Sequence, residues 1–447
     1  MNLAVSLSGG GHRATLFGLG ALMYLVDARA NSSVTSIASV SGGSITNAFV
    51  GQMADFKKTD TTDFDLHVAK PLATQIAKRG TLFAPLLTKF YLVALILGGA
   101  AVFVPLFISV SSWLVRLFLF LLFLGIWGWF FGKRGALCAH AFQKTLFSPS
   151  GRPTALSQLH KQDLDHVICA TDLRSAEAVY FSGDFVYSYW MGRGQPGDLA
   201  LARAVQASAC FPGGFPPAYL PAGRHQFSGA PAGGGPPVPP TELVMSDGGV
   251  YDNMGEQWVR GLEERVQHWP ELGHGRSLPD RLVVVNASAR VPWDPFRRRF
   301  LPLIGEVAAL LRVNNVMYIN TTNVRRQEIV RSYDPNHPTN HAGVPSALVQ
   351  IAQTPFVVAE AFAGETGPVG GRAKAVLELL GGTKENWSTM TRENSNVKTT
   401  LSKLKPDVSA QLIYQAYVVT MCNLHVIFGD EFPLLPFSLQ RFQKLVS

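Results

Sequence analysis

Apolar residues along this chain come in three kinds of run, and each predicts a different element. Short runs bounded by small or polar residues read as buried strands: Leu3–Leu7, Thr35–Val40, Glu242–Ser246 and Arg281–Asn286, the last of these taken as the final core strand. Helically spaced runs follow two of them directly, Leu16–Val26 and Gly43–Val50, so the chain opens with consecutive strand–turn–helix units. Largely helical segments recur at Ala136–Phe147, Leu303–Arg325, Val344–Ala363 and Ser409–Leu424, with Asp334–His341 and Gly364–Gly371 as breaks. Strands followed by helices in this way predict an α/β fold.

The third kind of run is Tyr91–Phe131, 41 residues with a single charge, Arg116. It is too long for a core helix and fits two membrane crossings, Tyr91–Ile108 and Trp113–Phe131, separated by the polar break Ser109–Ser112. At about 1.5 Å per residue each span covers nearly the ~30 Å hydrocarbon thickness. Arg116 lies early enough in the second span to snorkel, and Trp113, Trp127 and Trp129 suit the interfaces. Lys78, Arg79 and Lys89 before the run and Lys133 and Arg134 after it place both ends on the cytoplasmic side. The competing reading is a soluble apolar insertion over the site or at an oligomer contact, with a re-entrant hairpin between the two.

Composition changes the picture in one respect. Charged residues are 16% against roughly 25% in soluble domains, mostly because of that run. The net charge of +8 permits a nucleic-acid partner, but no basic-aromatic recognition motif accompanies it. Its better use is Trp293–Phe300, where Arg297, Arg298 and Arg299 sit between large aromatics, a composition suited to lipid headgroups or simply to a solvated turn. Cys138, Cys169, Cys210 and Cys422 have no paired spacing, so neither zinc nor a disulfide framework is expected. The N-terminus enters the first strand with no basic segment ahead of it, so no signal peptide is expected. Ala222–Pro240 is rich in glycine and proline, a loop that could serve as a lid.

The chemistry sits in the turns. Between the first strand and helix stand Ser8, Gly9, Gly10, Gly11, His12 and Arg13. Glycines there free backbone N–H groups to converge on one point, which the positive end of the helix also faces, so the loop suits a phosphate or a developing oxyanion. The second turn reads Ser39-Val40-Ser41-Gly42-Gly43, a sharp strand-to-helix turn with small residues two positions either side of Ser41. That is the requirement of a nucleophile elbow, with Gly42 N–H placed as a further oxyanion donor. Each turn alone could be a glycine-rich connection without chemistry; together on consecutive units they point to acyl transfer. Asp247, at a strand end before Gly248 and Gly249, is a carboxylate held at a sheet edge, or an ordinary Asp-Gly turn.

Glycine loop ending in arginine, serine elbow, then Asp-Gly-Gly: in this order the chain resembles the patatin-like phospholipases. Ala170–Leu173 with Val179–Phe181, and the segment Ala204–Pro217, extend the likeness over Met1 to about Ser288 with one insertion, and it continues more weakly at Thr399–Tyr417. Ser39 and Ala176 stand where the family has glycine. The resemblance implies a three-layer α/β/α sandwich and a Ser41–Asp247 dyad with no catalytic histidine. It implies an oxyanion hole from Gly9, Gly10, Gly11 and Gly42, with Arg13 as a brace for the loop or a contact for substrate phosphate. No cofactor or metal is implied, and the substrate is a membrane phospholipid. The catalytic domain then comprises residues 1–90 and 132–290, interrupted by the hairpin 91–131 and followed by a mostly helical extension, 291–447, packed on it. A Ser-His-Asp triad is the mechanistic rival and would need His12, His268, His274, His337, His341 or His425. A non-hydrolytic lipid- or partner-binding membrane module is the rival of another class. Nucleotide binding at the glycine loop lacks the Lys-Ser/Thr that follows a phosphate loop.

Overall fold

The computed structural model describes residues 1–108, 112–159, 163–230, 240–288, 302–331 and 344–447. Ten strands form one sheet: β1 (Leu3–Leu7), β2 (Val34–Val40), β3 (Asp165–Asp172), β4 (Glu177–Phe181), β5 (Val186–Ser188), β6 (Gly192–Gly194), β7 (Ala218–Pro221), β8 (Glu242–Asp247), β9 (Arg281–Asn286) and β10 (Ser346–Gln350). The order is β10-β9-β1-β2-β3-β4-β5-β6, with β8 paired to β3 and β7 paired to β8. The five strands from β10 to β3 are mutually parallel, and the rest join antiparallel.

Every residue of β1 and β2 is buried. That is why these strands read as near-continuous apolar runs: parallel strands are covered on both faces. The pleat divides them, with Leu3, Val5 and Leu7 entering one core and Ala4 the other. The first core packs the sheet against helices Gly11–Asp27, Gly42–Met53 and Pro406–Phe428; the second gathers Tyr180, Phe185, Tyr187, Trp258 and Leu262 on the opposite face. The fold is mixed α/β, a central sheet with helices on both sides.

Two expectations change. Arg281–Asn286 is not the last core strand, because β10 pairs parallel to it from Ser346↔Leu282 to Gln350↔Asn286. The segment expected as one helix, Val344–Ala363, therefore splits into β10 and a short helix, Phe356–Phe362. Ser346-Ala347-Leu348-Val349 is apolar without a decisive period, and a free sheet edge claims it as a strand. Trp293–Phe300, His337 and His341 lie outside the described residues.

The long apolar run forms two helices, Leu86–Ala101 and Trp113–Phe131, the first followed by a short turn at Val104–Leu106. No residue of the second is buried, and Ile96 (71%), Phe107 (84%) and Trp113 (69%) stand open. The two helices touch through Tyr91 Oη donating to Phe130 O (2.6 Å) and Trp127 Nε1 donating to Leu95 O (2.9 Å). A 30-residue helix, Pro302–Arg331, lies over the C-terminal end of the parallel strands, held by Ile329 in the core and by Arg325 against Asp252.

Candidate active site

The register of β3 explains how two residues 206 positions apart meet. β2 runs parallel to β3 and its last pair is Val40↔Cys169. β8 runs antiparallel to β3 and ends on Ala170↔Asp247. Two strand ends thus abut head to head along neighbouring residues of β3, and Ser41 and Asp247 stand at the junction.

Ser41 has φ 51° and ψ −113°, a left-handed conformation unusual for a residue with a side chain. The strain comes from turning directly out of β2 into the helix that begins at Gly42. Gly42 has no alternative, since a Cβ there would collide with the Gly11 carbonyl. Ser39, where the family has glycine, is accommodated: its Oγ donates to Val167 O (3.0 Å) and accepts from Asn47 Nδ2 (2.9 Å).

A residue not singled out from sequence holds the turn. Ser208, at the end of helix Leu201–Ser208, accepts Ser41 N–H at 2.9 Å through its Oγ. That hydroxyl donates to Cys169 O (2.6 Å) and touches Ser44 Oγ (2.9 Å), while Ser208 O accepts Gly248 N–H (3.1 Å). Cys210 O accepts Asp247 N–H at 3.1 Å. Residues 208–210 therefore fix both strand ends from one side. The Ala204–Pro217 segment was the available signal, but nothing in it distinguishes Ser208 as a bridge.

Asp247 is buried, and Oδ1 accepts the Gly249 N–H at 2.8 Å. Burial pushes its carboxyl up to about 6, against the opposing pull of hydrogen bonds from Gly249 N–H and the Ser41 side chain. A carboxylate so placed is a proton acceptor near neutral pH.

The glycine loop faces the same point. Gly11 takes φ 60° and opens helix Gly11–Asp27. Of the four predicted donors, Gly9 differs: its N–H is committed to Asn253 O at 3.0 Å. The N–H groups of Gly10, Gly11 and Gly42 make no hydrogen bond among the described residues. Arg13 is fully buried behind the loop, Nε donating to Ala287 O (2.9 Å) and Nη1 to Val397 O. His12 points away, with Nδ1 against Ser402 O (2.7 Å) and Nε2 against Thr81 Oγ1 (2.9 Å); burial pushes its pKa down to about 4.

A cavity of about 610 Å³ opens above Ser41 and Asp247. Besides the loop it is walled by Phe211, by Asn286 and Gln350 at the ends of β9 and β10, and by Tyr318, Ile319, Thr322, Asn323 and Arg326 of helix Pro302–Arg331. Nothing local in the sequence of that helix marks it as part of the site. No histidine is among the described residues lining the cavity. No described residue of the expected lid loop reaches it either; His225, Ser228 and Gly229 hydrogen-bond along β6 and its neighbours instead.

Both roots of the apolar hairpin connect to this site. Thr81, just ahead of it, holds His12 beside the glycine loop. After it, Arg134 Nη1 donates to Gly214 O (3.1 Å), and Gly214 N–H donates to the carbonyl of Phe211 (3.0 Å), a residue that lines the cavity. A separate cluster of metal-ligand type, Asp165, Asp184 and His274, has its most buried carboxylate already bound by Arg276 at 2.8 Å.

A strained serine between strand and helix, a carboxylate at the abutting strand end and backbone donors unbonded among the described residues thus share one end of a mixed α/β sheet. The chain belongs to the patatin-like phospholipase family, whose model matches residues 5–257, more than half of its length. It is thereby a lipid acyl hydrolase at the level of the family. Among solved structures it is similar to VipD from Legionella pneumophila, 14% identical, over 100% of this chain and 90% of that one, with a TM-score of 0.29. No curated protein matches the sequence.

Proposed function

We propose that this protein is a membrane-anchored phospholipase that cleaves acyl esters of glycerophospholipids through a Ser41–Asp247 dyad. The observation that carries the reading is the abutment of β2 and β8 along β3, which brings a nucleophile and a buried base together without a histidine. Ser41 Oγ attacks the ester carbonyl as Asp247 accepts its proton. Asp247 returns that proton to the departing alcohol, leaving an acyl-enzyme. Water, deprotonated by Asp247, then attacks the acyl carbon, and the fatty acid leaves as Ser41 recovers its proton. The N–H groups of Gly10, Gly11 and Gly42 stabilise the oxyanion, a role in which loss of one donor typically costs about 100- to 1,000-fold.

The helices Leu86–Ala101 and Trp113–Phe131 anchor the enzyme. Their exposed apolar surface would be unfavourable in water, and the Tyr91 and Trp127 hydrogen bonds satisfy the polar side chains between them. Ser41 precedes and Asp247 follows the pair, so two crossings keep both on one face of the bilayer. Lys89, Lys133 and Arg134 mark that face as cytoplasmic. Because Arg134 leads through Gly214 to Phe211, the cavity wall lies next to the hairpin root, a placement suited to lipid entering from the membrane.

The test is to incubate purified protein with mixed phospholipid micelles and identify products by mass spectrometry, with Ser41→Ala as control. Free fatty acid with lysophospholipid, absent from the control, is the expected result. Identical products from both proteins would refute the assignment.

A further inference from the structure

The cavity over Ser41 holds more donor groups than ester hydrolysis uses. Its described lining contains two guanidiniums, Arg13 and Arg326, and one carboxylate, Asp247. Arg13 is held by two backbone carbonyls behind the glycine loop, through Nε and Nη1, with its buried Nη2 unpartnered among the described residues. Arg326 is placed differently. Its neighbour Arg325 is paired with Asp252 at 2.7 Å, whereas Arg326 lines the cavity and makes no ion pair or hydrogen bond among the described residues.

Asn286 supplies a second, independent observation. It is fully buried at the end of β9, and its Oδ1 accepts Ser288 N–H at 2.9 Å. That bond fixes which way the amide faces, and leaves Nδ2 as a buried donor without a partner among the described residues, in a wall of the cavity. Buried donors in native proteins are almost always satisfied, so one left open inside a binding cavity marks a place for a ligand acceptor. Gln350, directly opposite Asn286 in the β9–β10 register, adds a second amide to the lining, and Thr322 and Asn323 add two further polar groups from the helix that carries Arg326. A guanidinium with neutral donors around it is the arrangement that binds phosphate.

We propose that Arg326 and Asn286 form a phosphate subsite in the Ser41 cavity, which holds the phosphodiester of a glycerophospholipid while its acyl ester is cleaved. The proposal rests on the reading of Ser41 as nucleophile. Both residues lie beyond the family-matched segment, so headgroup selection is supplied by the C-terminal part of the chain. A free phosphate ion would have the same chemistry but would leave most of a cavity of about 610 Å³ unfilled.

Two measurements on the full chain in detergent test this. In the first, phosphatidylcholine and a diacylglycerol with the same acyl chains are hydrolysed by the wild type, Arg326→Gln, Arg326→Lys and Asn286→Asp. The ratio of kcat/KM for the phospholipid to that for the neutral lipid should fall about 10- to 100-fold in Arg326→Gln, mainly through KM. Arg326→Lys should recover part of the loss, and Asn286→Asp should lower the ratio by repelling phosphate. An unchanged ratio in Arg326→Gln, whether activity falls or not, would overturn the proposal. In the second, glycerol 3-phosphate is titrated calorimetrically into Ser41→Ala, which cannot turn over. Binding that disappears in Ser41→Ala/Arg326→Gln supports the subsite even if the wild type hydrolyses neither lipid, and in that case only the hydrolase reading fails. If inorganic phosphate binds as tightly as glycerol 3-phosphate and neither competes with phosphatidylcholine, the ligand is free phosphate and the headgroup assignment is wrong.

Discussion

Replacing Asp247 by asparagine should make the protein less active and more stable, and the two effects have one cause. Burial raises the carboxyl from an ordinary 3.8 to about 6. Over that interval the folded protein keeps a proton that the unfolded chain has released. Stability therefore falls as pH rises from about 4 to about 6, and above pH 6 the whole cost of holding a buried carboxylate is present. A shift of about 2 units at 1.36 kcal/mol per unit amounts to about 3 kcal/mol. Asparagine cannot ionise, and its Oδ1 can still accept the Gly249 N–H that Asp247 accepts at 2.8 Å. It loses only the acceptor that faces Ser41, so the net gain at pH 7.5 should be about 1–3 kcal/mol.

Thermal unfolding of wild type and Asp247→Asn in the same detergent, at pH 4.5 and pH 7.5, measures this. The variant should melt higher at pH 7.5, by about 1–2 °C per kcal/mol at this chain length, and the difference should shrink markedly at pH 4.5. Hydrolysis should meanwhile fall roughly 100- to 10,000-fold. Wild-type kcat/KM should itself rise with pH through about 6 as Asp247 loses its proton. An unchanged or lower melting temperature at pH 7.5 would mean that Asp247 is not held as a costly carboxylate. Near-normal turnover in a folded variant would remove it as the base and reopen the search for a histidine.

Three further outcomes are expected. An active-site fluorophosphonate should label Ser41 alone, and labelling that survives Ser41→Ala on intact-mass analysis would move the nucleophile elsewhere. Ser208→Ala leaves the Ser41 N–H without its acceptor and should cost about 1–3 kcal/mol of stability, with kcat lowered more than KM is raised; wild-type kinetics would show that the elbow holds itself. The hairpin should resist extraction by carbonate, and joining Lys89 to Lys133 by a short flexible linker should release a folded domain that still cleaves a soluble short-chain ester; wild type washed off by carbonate, or a linker variant without Ser41 reactivity, would refute the anchor.

How much of this was legible beforehand depended on where each part is encoded. The first two strands, their helices and the glycine turns are local features, and each was readable because a buried parallel strand must be apolar throughout and a tight turn must be small. Trp113–Phe131 is legible to the residue, since a helix with no buried face has only composition to obey. β10 is not, because five residues with only Ala347, Leu348 and Val349 apolar and no decisive period become a strand only when an unpaired edge, here β9, is offered. Propensity decided nothing there; the neighbouring strand did.

The same distinction separates the candidate nucleophile and base from what holds them. Ser41 and Asp247 announce themselves through turn chemistry, but their meeting is a property of β3, whose register sets the end of β2 against the end of β8. Ser208, Asn286 and Arg326 carry no local mark: a serine at a helix end, an asparagine at a strand end and an exposed-looking arginine on a long helix are ordinary in sequence. What makes them notable is a hydrogen bond accepted from Ser41 and, among the described residues, a donor left open and a charge without a partner. All three are relations between distant segments. The helix Pro302–Arg331 shows the consequence for the whole molecule. Its sequence is only that of a long helix, yet it supplies Tyr318, Ile319, Thr322, Asn323 and Arg326 to the wall facing Ser41, so the chain beyond the family-matched segment builds the cavity rather than merely packing against it.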